Sequence, residues 1–126
     1  MDKILIIDDS EVIRNLLKEY LMESGYKVEL AIDGQEGIEK VLANDYFAIF
    51  CDIHMPRKNG YQVFRETISS KPYLHFIMTD SLPDELAEMA INEGARQCLT
   101  KPFDLNQIRE VLDKISVKVY HEHYYR

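Results

Sequence analysis

Five residues with useful chemistry follow apolar runs at intervals along the chain. Asp8-Asp9 comes after "KILII", Asp52 after "AIFC", Thr79 after "HFIM" and Lys101 after "QCLT". Brought together, three carboxylates and one ammonium carry a charge of about −2, which is unfavourable in a partly desolvated cleft. A hard divalent cation cancels that charge, and Mg2+ commonly combines one or two carboxylates with waters and phosphate oxygens. The Thr79 hydroxyl and the Lys101 ammonium then remain as donors for an anion. These are the parts needed to place a phosphoryl group on Asp52. The carboxylate is the nucleophile, while cation and lysine hold the charge spread over the equatorial oxygens. Each residue alone has an ordinary explanation, because acids end strands and cap helices; the argument rests on their shared placement.

That placement requires strands. "KILIID" (3–8), "YKVELA" (26–31), "YFAIFCD" (46–52), "LHFIMT" (74–79) and "QCLT" (97–100) read as strands. The first and third are continuous apolar runs, as expected when both faces are buried. Helical stretches lie between them. "SEVIRNLLKEYLMESG" sets Val12, Ile13, Leu16, Leu17, Tyr20 and Leu21 at helical spacing, with Gly25 past its end. "DGQEGIEKVLAN" opens with Asp33 and Glu36 in a capping-box arrangement. "NGYQVFRETISS" is weakened as a helix by Gly60, Thr67 and Ile68. "PDELAEMAINEGA" is expected to place Pro83 at its first helical position and Gly94 at its end. "DLNQIREVLDKI" closes the series, with Leu105, Ile108, Val111, Leu112 and Ile115 on one face.

Five β/α units predict an α/β fold, a doubly wound parallel sheet covered by helices on both sides. Groups just past the carboxyl ends of such strands share one edge of the sheet. One domain is expected over residues 1–118, with 119–126 a C-terminal tail or helix extension.

The chain has 126 residues and a formal charge of −7, which argues against a nucleic-acid partner because phosphate contacts need clustered Lys and Arg. No apolar run approaches the roughly 20 residues that span a bilayer, and "MDKILIIDD" lacks the cleavage pattern of a signal peptide. Cys51 and Cys98 sit in apolar runs without metal-like spacing. Buried, reduced thiols in a cytoplasmic protein are the expectation.

Four segments carry a family resemblance: "ILIIDDS" (4–10), "CDIHMPRKNGYQV" (51–63), "FIMTD" (76–80) and "GARQCLTKPF" (94–103). In this order and spacing the chain resembles the receiver, or phosphoacceptor, domain of two-component response regulators, and the second segment fits the family's Asp-x-x-Met-Pro-x-x-x-Gly pattern. The resemblance implies a flavodoxin-like sheet of order 2-1-3-4-5 with five helices. It implies Asp52 as phosphoacceptor, and Mg2+ held by Asp9 directly, Asp8 largely through water, Asp52 and the backbone carbonyl of His54. It further implies Thr79 and Lys101 on the phosphoryl oxygens, with a cis Lys101–Pro102 bond aiming the lysine. A histidine kinase or histidine phosphotransfer protein would be the donor. An unidentified downstream protein would receive the signal by contact, or the domain would serve as relay or sink. Activity would be limited to self-catalysed phosphotransfer and autodephosphorylation. The start of the first helix, Val12 and Ile13, would dock the kinase; both positions also fit a core.

Three positions depart from the family. Cys98 stands where an aromatic switch residue is usual, three before Lys101, and a thiol cannot fill and vacate a pocket as a ring does. Asp80 follows Thr79 where a small residue is usual; turned inward it would oppose an incoming anion, turned outward it would not. His54 offers its carbonyl whatever its side chain, and its imidazole is expected at the cleft rim. Two other readings stand beside the receiver: a phosphorylation-independent binding module, and a phosphohydrolase of the haloacid dehalogenase type. The latter needs Asp-x-Asp after the first strand, where this chain has adjacent Asp8-Asp9. "HEH" (121–123) reads as a solvated tail and His75 as a packed or edge histidine.

Overall fold

The computed structural model describes the backbone of residues 2–124 and the side chains of residues 2–116. Strands β1 (Lys3–Ile7), β2 (Lys27–Ala31), β3 (Ala48–Asp52), β4 (Phe76–Asp80) and β5 (Gln97–Thr100) alternate with five helices. These are α1 (Glu11–Glu23), α2 (Gly34–Ala43), α3 (Gly60–Ile68), α4 (Glu85–Asn92) and α5 (Leu105–Tyr124). All strand pairs are parallel, in the order β2-β1-β3-β4-β5. This is the flavodoxin-like arrangement expected from the sequence. The α5 backbone stays helical to Tyr124, so 119–124 take the helix-extension form of the two alternatives. The "HEH" side chains lie outside the described residues.

The strand pleat divides the interior into two cores. Ile4 and Ile6 of β1, Ala48 and Phe50 of β3, Ile77 and Leu99 pack against Leu17 and Leu21 of α1 and the Ile108–Ile115 stripe of α5. Leu5, Ile7, Ile49, Cys51, Phe76 and Met78 face α2, α3 and α4 on the other side. Because successive strand residues point to opposite faces, each central strand needs apolar residues at every position. That explains the continuous runs of β1 and β3, whose apolar residues from Ile4 to Ile7 and from Ala48 to Cys51 are at most 1% exposed. Burying each such side chain is worth about 1.5–3 kcal/mol. Phe64 of α3 meets Phe76 of β4 edge to face at 5.3 Å.

Local chemistry sets the helix ends, and two of the sequence expectations need correction. Asp33 Oδ1 accepts from the Glu36 N–H as an N-cap should, but the Glu36 carboxylate reaches back to Ile32 N–H, not to Asp33, so only half of the capping box forms. Pro83 is not the first helical residue of α4. Asp84 is the N-cap, accepting from Leu86 N–H, and the helix begins at Glu85; a side-chain acceptor at this point satisfies an N–H that proline cannot reach. The full capping box is at α3, where Asn59 and Gln62 satisfy each other's backbone N–H groups. Gly25 and Gly94 adopt positive φ (97° and 125°) just past α1 and α4, where a residue with a Cβ would be strained.

Candidate functional site

The carboxyl edge of the sheet collects the residues singled out by type and spacing. Asp52 and Thr79 are register partners across β3 and β4. Asp8, Asp52, Thr79 and Lys101 continue the alternation of Ile6, Phe50, Ile77 and Leu99, so all four leave their strands on the α1/α5 side. Lys101 Nζ donates to Asp8 Oδ2 at 3.0 Å and lies 3.3 Å from Asp52 Oδ1. The Lys101–Pro102 peptide is cis, and the Lys101 N–H donates to the Asp80 carbonyl at 2.7 Å. Asp8 is buried, and its other oxygen accepts from Ser10 N–H at 2.8 Å. Asp9 is exposed on the cleft wall.

The site is short of positive charge. Burial raises the Asp52 carboxyl to about 7; Asp8 and Asp9 add to the rise, and Lys101 offsets only part of it. Burial alone would lower the Lys101 ammonium, yet its contacts with Asp8 and Asp52 leave it raised. Carboxylate oxygens of Asp8, Asp9 and Asp52 lie within 4.8 Å of one another. Three hard oxygen donors at this spacing, in a cleft with one ammonium, suit a small divalent cation such as Mg2+.

Gly60, a weak helix former and the glycine of the Asp-x-x-Met-Pro-x-x-x-Gly pattern, has a definite packing role. Its N–H donates to the Ile53 carbonyl at 2.7 Å, and a Cβ there would collide with the Asp52 carbonyl. Arg57, at φ 69°, turns the chain between β3 and α3. Together they fold the loop after Asp52 tightly back under the strand. The signal was present in the Asp-to-Gly spacing of "DIHMPRKNG", but nothing in helix propensity reveals a close backbone approach.

Asp80 lies within β4, one residue further than the expected strand end, and is 2% exposed. It does not turn out to solvent, and it lines the cleft that also takes in Asp52. It follows the alternation of Phe76 and Met78 onto the α2–α4 side, where His54 Nε2 lies 3.2 Å from its Oδ2. The same nitrogen is hydrogen-bonded to Asp84 Oδ2 at 3.1 Å. Asp84 was not singled out in the sequence; an acid directly before a helix rich in Glu was its signal. His54, Asp80 and Asp84 line a cleft of about 530 Å3 that also takes in Asp9, Asp52 and Lys101.

Cys98 shares the α2–α4 side with Asp80 and packs, half-buried, against that core. Burial, then the nearby Asp80 and Asp84, raises its thiol to about 11, the opposite of what a reactive thiol needs. Of the two candidate docking residues, Val12 is 75% exposed and Ile13 packs partly on the α1/α5 core. His75 is buried just before β4 and accepts from Arg96 Nε at 2.9 Å.

The profile of the response regulator receiver domain family matches residues 4–113. Response regulator RR06 of Streptococcus pneumoniae is 38% identical over 103 residues, covering 81% of this chain and 47% of that protein. Response regulator MprA of Mycolicibacterium vanbaalenii is 34% identical over 109 residues, covering 84% of this chain and 46% of its own length. The chain thus spans about half the length of these relatives. Among solved structures, the Thermotoga maritima response regulator TrrA in complex with Mg2+–BeF superimposes with a TM-score of 0.84 at 30% identity, covering 91% of this chain and 99% of that one. A receiver domain protein from Clostridium thermocellum gives a TM-score of 0.89 at 26% identity, over 95% and 98% of the two chains. With its sheet order, its acidic cleft and these likenesses in agreement, the chain belongs to the response regulator receiver domain family of two-component signalling.

Proposed function

We propose that this domain takes a phosphoryl group from a phosphohistidine, on a histidine kinase or histidine phosphotransfer protein, onto Asp52. The observation that carries the reading is the Lys101 ammonium shared between Asp8 and Asp52, beside a Thr79 register-paired with Asp52. An Asp52 oxygen forms the new P–O bond as the donor's P–N bond breaks. The freed imidazole keeps the electron pair and is protonated from solvent. Lys101 and the Thr79 hydroxyl bind phosphoryl oxygens, and fixed donors of this kind need no reorganisation as charge moves. Mg2+, when bound, holds Asp52 ionised and neutralises charge on the transferred group. Asp9, exposed on the cleft wall, would hold the ion directly, together with Asp52 and the His54 carbonyl. Asp8, whose oxygens already serve Ser10 and Lys101, acts largely through water.

Signalling is by protein contact, as relay, sink or effector. Val12 on the exposed start of α1 is the docking residue for the donor. The free thiols of Cys51 and Cys98 suit the reducing cytoplasm. Cys98 supports a second reading, a binding module indifferent to phosphorylation, because the residue that usually reports the event is missing. Beryllofluoride with Mg2+ separates the two. The amide resonances of Asp52, Thr79 and Lys101 shift if the domain is a phosphoacceptor, and mass spectrometry after treatment with a small acyl phosphate finds one phosphoryl group, absent in Asp52→Ala. Unmoved resonances and no adduct leave only the binding module.

A further inference from the structure

A second group of side chains able to ligate a metal lines the same cleft as Asp52, with its Asp80 leaving β4 on the face opposite Thr79. One oxygen of Asp80 is buried, in a side chain 3% exposed, and has no hydrogen-bond partner among the described residues. It faces His54 Nε2 at 3.2 Å, but that nitrogen carries at most one hydrogen and bonds Asp84 Oδ2 at 3.1 Å. Asp84 is fixed independently, because its other oxygen caps α4 through Leu86 N–H at 3.0 Å. Two carboxylates and an imidazole thus converge with ligand atoms all within 4.8 Å, and one buried anionic oxygen is left without a partner.

We infer that His54, Asp80 and Asp84 form a binding site for a divalent transition-metal ion of the Zn2+ type, separate from the Asp8–Asp9–Asp52 site for Mg2+. Three arguments carry the assignment. The imidazole nitrogen discriminates against Mg2+ and Ca2+, which take oxygen ligands, and suits first-row transition ions. The ligand separations of 3.1 and 3.2 Å match the edge of a tetrahedron with zinc bonds of about 2.0 Å, which is roughly 3.3 Å. Two carboxylates and a neutral imidazole sum to −2, which a divalent ion cancels, including the oxygen that the fold leaves unsatisfied. The fourth position opens onto the cleft shared with Asp52. An ion there would tie the loop after β3 to the N-terminus of α4.

The test is a Zn2+ titration of chelator-stripped protein in excess Mg2+, followed by calorimetry or competition with a metallochromic dye. One equivalent is expected to bind, at least tenfold more weakly in His54→Ala and in Asp80→Asn, and unchanged in Asp52→Asn. His54 is half-exposed, so its truncation leaves the fold intact, and circular dichroism checks Asp80→Asn. Co2+ adds a second readout, a visible band of four-coordinate character that disappears in His54→Ala. No Zn2+ binding in excess Mg2+ overturns the inference. So does binding that survives His54→Ala but is lost in Asp52→Asn, which puts the ion among the phosphoacceptor acids. Binding lost only in His121→Gln/His123→Gln puts it on α5 and overturns it equally.

Discussion

Asp8 and Asp52 share one lysine ammonium at 3.0 and 3.3 Å; across the pleat, Asp80 and Asp84 share one imidazole nitrogen at 3.2 and 3.1 Å. The two arrangements look alike and differ in what they can satisfy. An ammonium has three N–H donors and a permanent charge, so it serves two carboxylates at once. A ring nitrogen has at most one donor, so one carboxylate oxygen is left over. Lys101 therefore balances its side partially and leaves donor capacity for an incoming anion. His54 leaves its side with one buried carboxylate oxygen that has no hydrogen-bond partner among the described residues. Neighbouring residues of one strand, Thr79 and Asp80, belong to different chemistry because the pleat sends them opposite ways.

Gly60 joins the two regions, and its substitution has the largest expected effect. A Cβ at this position meets the Asp52 carbonyl backbone, which has no rotamer to move away. Gly60→Ala should therefore cost about 3 kcal/mol or more of unfolding free energy. Urea denaturation gives the cost, and amide shifts should appear around both Asp52 and His54. A loss under about 1 kcal/mol would mean that the loop relaxes freely and that the two regions are not rigidly joined.

The Cys98 thiol reports its burial first and then the acids around it, Asp80 and Asp84 ahead of Asp52. Its rise from 9.0 to about 11 lowers the thiolate fraction near neutrality by about two powers of ten. Alkylation by iodoacetamide at roughly pH 8 should be ~100-fold slower in the folded protein than in the urea-unfolded chain. Equal rates would remove both the burial and the acidic surroundings assigned to this thiol.

On the lysine side the corresponding probe is stability against pH. The folded chain holds the Asp52 proton more tightly than the unfolded chain, with the carboxyl raised from 3.8 to about 7. That contribution to stability is complete below about pH 4 and is lost as pH rises through about 7. In chelator, Asp52→Asn should thus match the wild type near pH 4 and exceed it near pH 8 by about 2 kcal/mol, half the full linkage value because solvent in the open cleft screens the charge. Added Mg2+ should narrow the gap by stabilising the wild type. A gap that is constant with pH would mean that Lys101 fully offsets both burial and the other acids.

The sequence carried the lysine side more fully than the histidine side, for a physical reason. Asp8, Asp9, Asp52, Thr79 and Lys101 each end an apolar run, so the strand pattern alone brings them to one edge. Both cores follow from the same runs, whereas the strand order was implied by the family resemblance. His54, Asp80 and Asp84 come from a loop, a strand interior and a helix cap, and their meeting depends on where Pro83 stands relative to α4 and on how Gly60 folds the loop back. Neither is visible in hydrophobic periodicity. The orientation of Asp80 turned on whether β4 ended at Thr79 or ran one residue further.

Asp84 permits the finest test, because its two oxygens do different work. Oδ1 caps α4 and Oδ2 faces His54. Asparagine keeps an oxygen for the cap and removes the charge, whereas alanine removes both. In chelator, Asp84→Ala should cost about 1 kcal/mol, the usual value of an N-cap. Asp84→Asn should change stability by less than about 0.5 kcal/mol, because the exposed half of the His54 contact is worth little and a carboxylate is removed from beside Asp80. The difference between the variants, read from urea midpoints at equal slope, measures the cap alone. If Asn costs as much as Ala, the Asp84 charge is a net stabilising partner of His54. The imidazole would then balance its side as the lysine does, and the contrast between the two faces would fail at its most accessible residue.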